Sequence, residues 1–323
     1  MKKYIMTVML ALGLIQPVLA WQPTKPIEAV VGFTPGSGNE TILRTILAQV
    51  EKNTGAKFIV VNKPGAGTVV ATEYISKRPN DGYHVQSATI SALAGADRVQ
   101  VATRSFTLDD FTYIGFLGTN PMVIIARVDD PVKNLDDLLK SLRTEKILWG
   151  DPGAAARMSF EILVSAAKIP VGPNGVRRIE YNGPTNSMNA VIGGHVRFSL
   201  VPSSVALPQH LGGKIRIIAL SSKERNPALP NVETIPSKVP NFDFELATGL
   251  IAPKGLPPDV LAWYVREFKK AAESSEVRTV LAQTLSSTKP ELVNPQRFEA
   301  YVRDAYKVWT PVIEKLQQEQ QKK

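Results

Sequence analysis

The chain has 323 residues, with 38 Lys and Arg against 29 Asp and Glu, a formal charge of +9 and no cysteine. That length is two domains' worth at roughly 150 residues each, and 44% hydrophobic with 21% charged residues describes a globular chain, not a disordered one. Without cysteine there are no disulfides, thiolate metal centres, iron–sulfur clusters or cysteine nucleophiles, and three histidines (His84, His195, His210) leave little material for a metal centre.

Lys2 and Lys3 precede an apolar stretch from Ile5 to Ile15, followed by Pro17 and Val18-Leu19-Ala20. A membrane-spanning helix needs about 20 apolar residues, so this shorter stretch reads as a signal peptide cleaved after Ala20. Removing Lys2 and Lys3 lowers the formal charge to +7, 36 basic against 29 acidic residues. No cysteine follows to carry a lipid, and no later stretch approaches spanning length. The expectation is a soluble exported protein.

Strands and helices then alternate. Ile27 to Val31 is a strand running into Phe33-Thr34-Pro35-Gly36-Ser37-Gly38-Asn39, and a helix follows with Ile42, Ile46 and Val50 on one face. Phe58 to Val61 is a second strand, ended by Asn62-Lys63-Pro64-Gly65-Ala66-Gly67, with a helix over Thr68 to Lys77. Asn80-Asp81-Gly82 turns into a strand at His84 to Ser87. Further strands fall at Val123–Ala126, Ile147–Gly150, Arg177–Tyr181, Phe198–Val201 and Ile215–Leu220, with helices at Leu135–Leu142 and Ser187–Ile192. Pro227, Pro230, Pro236 and Pro240 make residues 226–243 a long irregular connection. Leu246–Ile251 is a strand, and helices close the chain over Pro258–Ser274, Val277–Leu285 and Pro295–Gln320. Strand, glycine loop and helix in repetition is the α/β pattern.

Two loops carry the chemistry, Thr34 to Asn39 and Lys63 to Thr68. Each follows a strand and opens a helix, where glycine permits close backbone approach and the first amides lack partners, a combination that holds a carboxylate or phosphate. Ser37, Asn39 and Thr68 can add side-chain bonds. Gly and Pro also serve any βα turn, but two such loops in successive units at one sheet end point to a ligand. Gly32 to Gly38 is not a dinucleotide fingerprint, because Pro35 interrupts the turn and Asn62 stands where an acidic ribose partner belongs. No Walker loop, Gly-x-Ser-x-Gly elbow or His-Glu-x-x-His motif occurs. All three histidines fall in turns, and Asp109-Asp110, Asp129-Asp130 and Asp136-Asp137 are explained by helix starts. Arg177-Arg178 and Lys269-Lys270 have acids nearby and form no nucleic-acid stripe. Arg157 follows Gly153-Ala154-Ala155-Ala156, where it either forks a ligand carboxylate or is a solvated first-turn residue; Arg197 is the other arginine of interest.

These motifs resemble the Bug family, the periplasmic solute-binding components of tripartite tricarboxylate transporters. The resemblance rests on Trp21-Gln22-Pro23-Thr24-Lys25-Pro26-Ile27, Gly32 to Glu40, Asn62 to Thr68 and Asn80-Asp81-Gly82-Tyr83. It continues through Tyr181-Asn182-Gly183, Ile192-Gly193-Gly194-His195-Val196, Ala228 to Val232 and Gly249 to Pro258. It implies an α/β, two-lobed periplasmic-binding-protein (Venus flytrap) fold, each lobe a mostly parallel sheet flanked by helices. Lobe 1 is expected from residues 21–121 and 246–323 and lobe 2 from 122–245, with crossings near Pro121 and Glu245.

The function so implied is a non-enzymatic extracytoplasmic receptor, a monomer without cofactor, metal or nucleic acid. It binds a small organic anion in an interlobe cleft and delivers it to the membrane permease; presenting the bound form to a sensor kinase is the alternative. Ligand-facing residues carried over are Phe33, Thr34, Pro35, Gly36, Ser37, Gly38, Asn39, Gly65, Ala66, Gly67, Thr68, Ala88 and Thr89 in lobe 1. In lobe 2 they are Gly150, Ala154, Ala155, Ala156, Arg157, Tyr181, Ser203 and Ser204. The chain departs from the family where a serine-rich loop becomes Asp151-Pro152-Gly153-Ala154-Ala155-Ala156-Arg157, where an Asp after Gly-Gly-x-Val becomes Arg197, and where Phe-Asp-Asn becomes Leu200-Val201-Pro202.

Overall fold

The computed structural model describes residues 21–95, 104–242, 244 and 246–321; the expected signal peptide, residues 1–20, and the expected crossing at Glu245 lie outside them. In chain order the elements are β1 (Ile27–Val31), α1 (Gly38–Thr54), β2 (Phe58–Asn62), α2 (Val69–Ser76), β3 (His84–Thr89), α3 (Ile90–Leu93) and β4 (Phe111–Thr119). Then come β5 (Met122–Arg127), α4 (Leu135–Thr144), β6 (Ile147–Asp151), α5 (Ala154–Ala166), β7 (Val176–Glu180), α6 (Pro184–Ile192), β8 (Phe198–Pro202), α7 (Ser203–Leu211), β9 (Ile215–Leu220) and the two-residue β10 (Glu233–Thr234). The chain ends with β11 (Ala247–Pro253), α8 (Pro258–Ala272), α9 (Ser275–Ala282) and α10 (Pro295–Gln321).

Two sheets result, ordered β2-β1-β3-β11-β4 and β10-β9-β5-β8-β6-β7. β1 is parallel to both β2 and β3, whereas β11 runs antiparallel to both β3 and β4. In the second sheet β5 is antiparallel to its neighbours β8 and β9, and the β6–β7, β6–β8 and β9–β10 pairs are parallel. Each sheet is therefore parallel apart from one reversed strand. The reversed strands, β5 and β11, are the two by which the chain enters a sheet from the other one. Asn120 and Pro121 link β4 to β5, and the backbone amide of Asn120 donates to the Leu246 carbonyl at 2.9 Å, tying the two passages together.

Local chemistry sets the boundaries. Ser37 caps α1 by accepting from the Glu40 amide, Gly55 ends that helix at φ 76°, and Ile42, Leu43, Ile46, Leu47 and Val50 form its buried face. β4, α3, α5 and α7 were not anticipated from sequence. In β4 the glycines at 115 and 118 break the apolar run; β-carbons there would stand 2.8 Å from the Val293 Cα and 2.7 Å from the Ser287 carbonyl oxygen. The core is continuous between the sheets. α10 packs on β4 and reaches α5, with Phe298 edge-on to Tyr113 at 5.8 Å and Trp309 stacked on Phe244 at 5.2 Å. Leu285, after α9, is buried among residues of the second sheet.

Candidate functional site

Two adjoining cavities lie between the sheets, of about 380 and 250 Å³. Phe33, Thr89, Pro184, Pro202 and Leu246 line both, so they are two compartments of one cleft. The larger is walled by the whole segment Phe33 to Asn39, with Asn120, Thr185, Ser204, Val205, Ala247 and Thr248. The smaller takes Gly67, Ser91, Ala92, Met122, Pro152, Gly153, Ala155 and Ala156.

Helix starts meet at this cleft. The first residues of α1, α5, α6 and α7 all contribute to its lining. Amides in a helix's first turn have no intrahelical acceptor and carry partial positive charge. The caps of α5, α6 and α7 are Gly153, Gly183 and Pro202, none of which makes a side-chain cap bond. Among the described residues, no Lys, Arg, His, Asp or Glu lines either compartment. Carboxylates stand behind two of these starts, Glu40 in the first turn of α1 and Asp151 on the cap amide of α5.

Polar side chains on the floor are held in place. Asn39 donates from Nδ2 to Thr248 Oγ1 at 3.0 Å and accepts at Oδ1 from Ser87 Oγ at 2.6 Å, while Thr248 Oγ1 donates to the Ala88 carbonyl at 3.0 Å. Buried Ser203 donates from Oγ to Asn120 Oδ1 at 2.8 Å, which directs the Asn120 Nδ2 toward Gly38. Behind the first loop, Glu40 is buried and receives bonds from Arg44 Nε at 2.7 Å, the Gly36 amide at 2.8 Å and Asn62 Nδ2 at 3.2 Å. Burial pushes its pKa up, but those three hydrogen bonds outweigh it and hold the carboxyl below its ordinary value.

Of the residues expected at the site from sequence, Phe33 to Asn39, Gly67, Thr89, Ala155, Ala156 and Ser204 line the cleft. Others stand off the lining. Gly65 and Ala66 are exposed on their loop, and Thr68 is buried behind it with its methyl-bearing side chain against Gly32. Ala88 serves through its carbonyl, and Gly150 is wedged against Ser187 and Ser199 within the second sheet. Tyr181 packs on that sheet's core. Ala154 opens α5.

Arg157 requires a correction. Its Nε meets Asp151 at 2.7 Å and its Nη2 meets Glu180 at 2.9 Å, while Arg178 adds a 2.9 Å contact to the same Asp151. Asp151 is 2% exposed and needs such partners, so the guanidinium is committed inside the protein and is absent from the lining. Arg197 is likewise engaged, by Asp130 and Glu145, away from the cleft. Sequence reasoning missed Asn120, Pro184, Thr185, Pro202, Leu246 and Thr248. The prolines opening α6 and α7 were the available signal, since Pro favours a helix's first turn.

Residues 42–318 match the family described as "Tripartite tricarboxylate transporter family receptor". Protein BugT of Bordetella pertussis is 24% identical over 304 residues, covering 93% of this chain and 92% of BugT. The structure of the periplasmic binding protein BugD superposes with a TM-score of 0.75 at 24% identity, covering 91% of this chain and 98% of BugD. R. palustris Rpa4515 with adipate gives 0.78 at 21% identity, with 91% and 98% covered. Both structures share the two-lobed periplasmic-binding-protein fold.

Proposed function

Because this chain belongs to the tripartite tricarboxylate transporter receptors of the Bug family, we propose that it is a periplasmic receptor that takes a small organic carboxylate into the cleft between its sheets and delivers it to the membrane subunits of its transporter. The observation that carries this reading is the convergence of four helix starts on a cleft whose described lining has no charged side chain. Fixed dipoles of this kind stabilise an anion without a counter-cation, and desolvated dipoles let the ligand leave again more readily than a buried ion pair would. The adipate held by the R. palustris relative supports a carboxylate in the same fold. The reversed strands β5 and β11, both entering beside the Asn120–Leu246 bond, supply a narrow passage about which the lobes close on ligand.

A thermal-shift screen of organic acids tests the proposal, since a ligand that binds only the folded state raises the melting temperature. At least one small carboxylate is expected to shift it by several degrees, and calorimetry should then give one site per chain. A panel in which no organic acid shifts the transition overturns the reading. A transport assay with the membrane subunits, with and without the receptor, checks the delivery step.

A further inference from the structure

The two compartments are chemically unlike, and the difference concerns which acid fits. We propose, building on the receptor reading above, that the ligand is an acid with a single carboxylate, held in the larger compartment, and an uncharged, largely apolar body, held in the smaller.

The carboxylate end follows from the helix starts. α6 and α7 have no acidic residue in the first turn and no side-chain cap. The Ser203 amide at the α7 start donates to the Pro121 carbonyl at 2.9 Å, and Pro184 and Pro202 at these starts line both compartments, but the hydroxyl-bearing Thr185 and Ser204 line only the larger. Gly38 and Asn39, the first residues of α1, line the same space.

The smaller compartment offers a second carboxylate much less. The helix that begins there, α5, already has a carboxylate at its positive end: Asp151 Oδ1 accepts from the amide of its cap residue, Gly153, at 3.0 Å. Arg157 and Arg178 are bound to the same Asp151. The surrounding surface is Phe33, Ala92, Met122, Ala155, Ala156 and Leu246, and its polar side chains are the hydroxyls of Thr89 and Ser91. Thr89 Oγ1 accepts from the Ala92 amide at 3.3 Å, and neither hydroxyl carries a charge. An ionised group entering such a space gives up its water for little return, whereas a methylene chain or aromatic ring gains by leaving water. Ala155 and Ala156 present methyl groups to this space.

The test is calorimetry on the mature full-length chain with hexanoate, phenylacetate, succinate, adipate and citrate. Hexanoate or phenylacetate is expected to bind at least about tenfold more tightly than succinate, adipate or citrate, the scale on which sites discriminate by one polar group. Ala155→Asp places a second carboxylate at the helix start that already holds Asp151, inside the smaller compartment; it is expected to lower the melting temperature of the free protein somewhat and to weaken the monocarboxylate at least about tenfold, whereas the uncharged Ala155→Asn weakens it less. If succinate, adipate or citrate binds as tightly as the monocarboxylates, the proposal is overturned and the receptor reading stands. If Ala155→Asp folds and binds hexanoate unchanged, the placement of the body is wrong. If no organic acid binds at all, the receptor reading falls first and takes the proposal with it.

Discussion

The side-chain amide nitrogen of Asn120 occupies the place where a β-carbon on residue 38 would have to stand. Ser204 Oγ, from α7 beside the other sheet, lies 2.9 Å from the same point. One glycine therefore lets the α1 start, the passage between the sheets and the α7 start come together.

Gly38→Ala is expected to break this contact while leaving α1 intact, because alanine suits a helix better than glycine does. The added methyl must push Asn120 off Ser203 or hold Ser204 away. Ligand affinity should fall at least about tenfold, a loss of about 1.4 kcal/mol, with little change in helix content. Calorimetry and circular dichroism on the same sample check both halves; unchanged affinity would show that the cleft does not close about this point.

Arg157→Ala should affect stability and not recognition. It strips one of two arginines from a buried carboxylate, a change worth about 2–4 kcal/mol where the remaining partner compensates in part. Urea unfolding reads the loss. Affinity for the ligand should change by less than about threefold, under 0.7 kcal/mol, because the guanidinium is held by Asp151 and Glu180.

Glu40 links the first loop to pH. Its folded pKa lies below the ordinary 4.5, so the ionised form is the one the fold favours. Its contribution is present above 4.5 and is lost as pH falls from there through the folded value. Glu40→Gln should lower the unfolding free energy at about pH 7 and flatten the acid decline below 4.5, as urea titrations across that range would show. A variant whose acid limb parallels the parent's would assign the decline to other carboxylates.

Thr68 sits at φ 82°, in the left-handed region, with its hydroxyl buried and without a hydrogen-bond partner among the described residues. A β-carbon in that region costs about 1–2 kcal/mol, against about 0.5–1 kcal/mol for the extra chain entropy of glycine. Thr68→Gly is expected to be at least as stable as the parent, and Thr68→Ala about 1 kcal/mol less stable than Thr68→Gly. Urea midpoints rank the three proteins directly.

What the sequence made legible, and what it hid, follows from how far apart partners lie. The segment Phe33 to Asn39 was readable because strand, glycine turn, cap and helix are all local. Asn120, Leu246 and Thr248 were not, since Asn39 meets Thr248 across 209 positions and nothing in either neighbourhood announces the pairing. Arg157 looked available because its partners Asp151 and Glu180 come together only when β6 and β7 pair. β4 went unread, and its glycines at 115 and 118 find their reason only in Val293 and Ser287, packed against them from far along the chain. The alternation of α and β elements and the two-lobed class were plain from periodicity and the motif resemblance. That each sheet carries one reversed strand emerged only from the pairing.

That reversal bears on how the chain acquires its shape. β11 lies between β3 and β4, so β4 has no place in the first sheet until residues beyond the entire second sheet have arrived. The second sheet draws all its strands from the uninterrupted stretch Met122 to Thr234. Pairings of such different sequence separation form on different timescales, and β3 keeps an open edge in the interval, the kind of edge that recruits other chains. Pulse-labelled hydrogen exchange during refolding should therefore protect the amides of Ile124 and Ala219 before those of Gln86 and Leu250. Simultaneous protection would mean that the sheets form as one cooperative unit. A chain with this arrangement depends on its last strand to complete the sheet that its first strand begins.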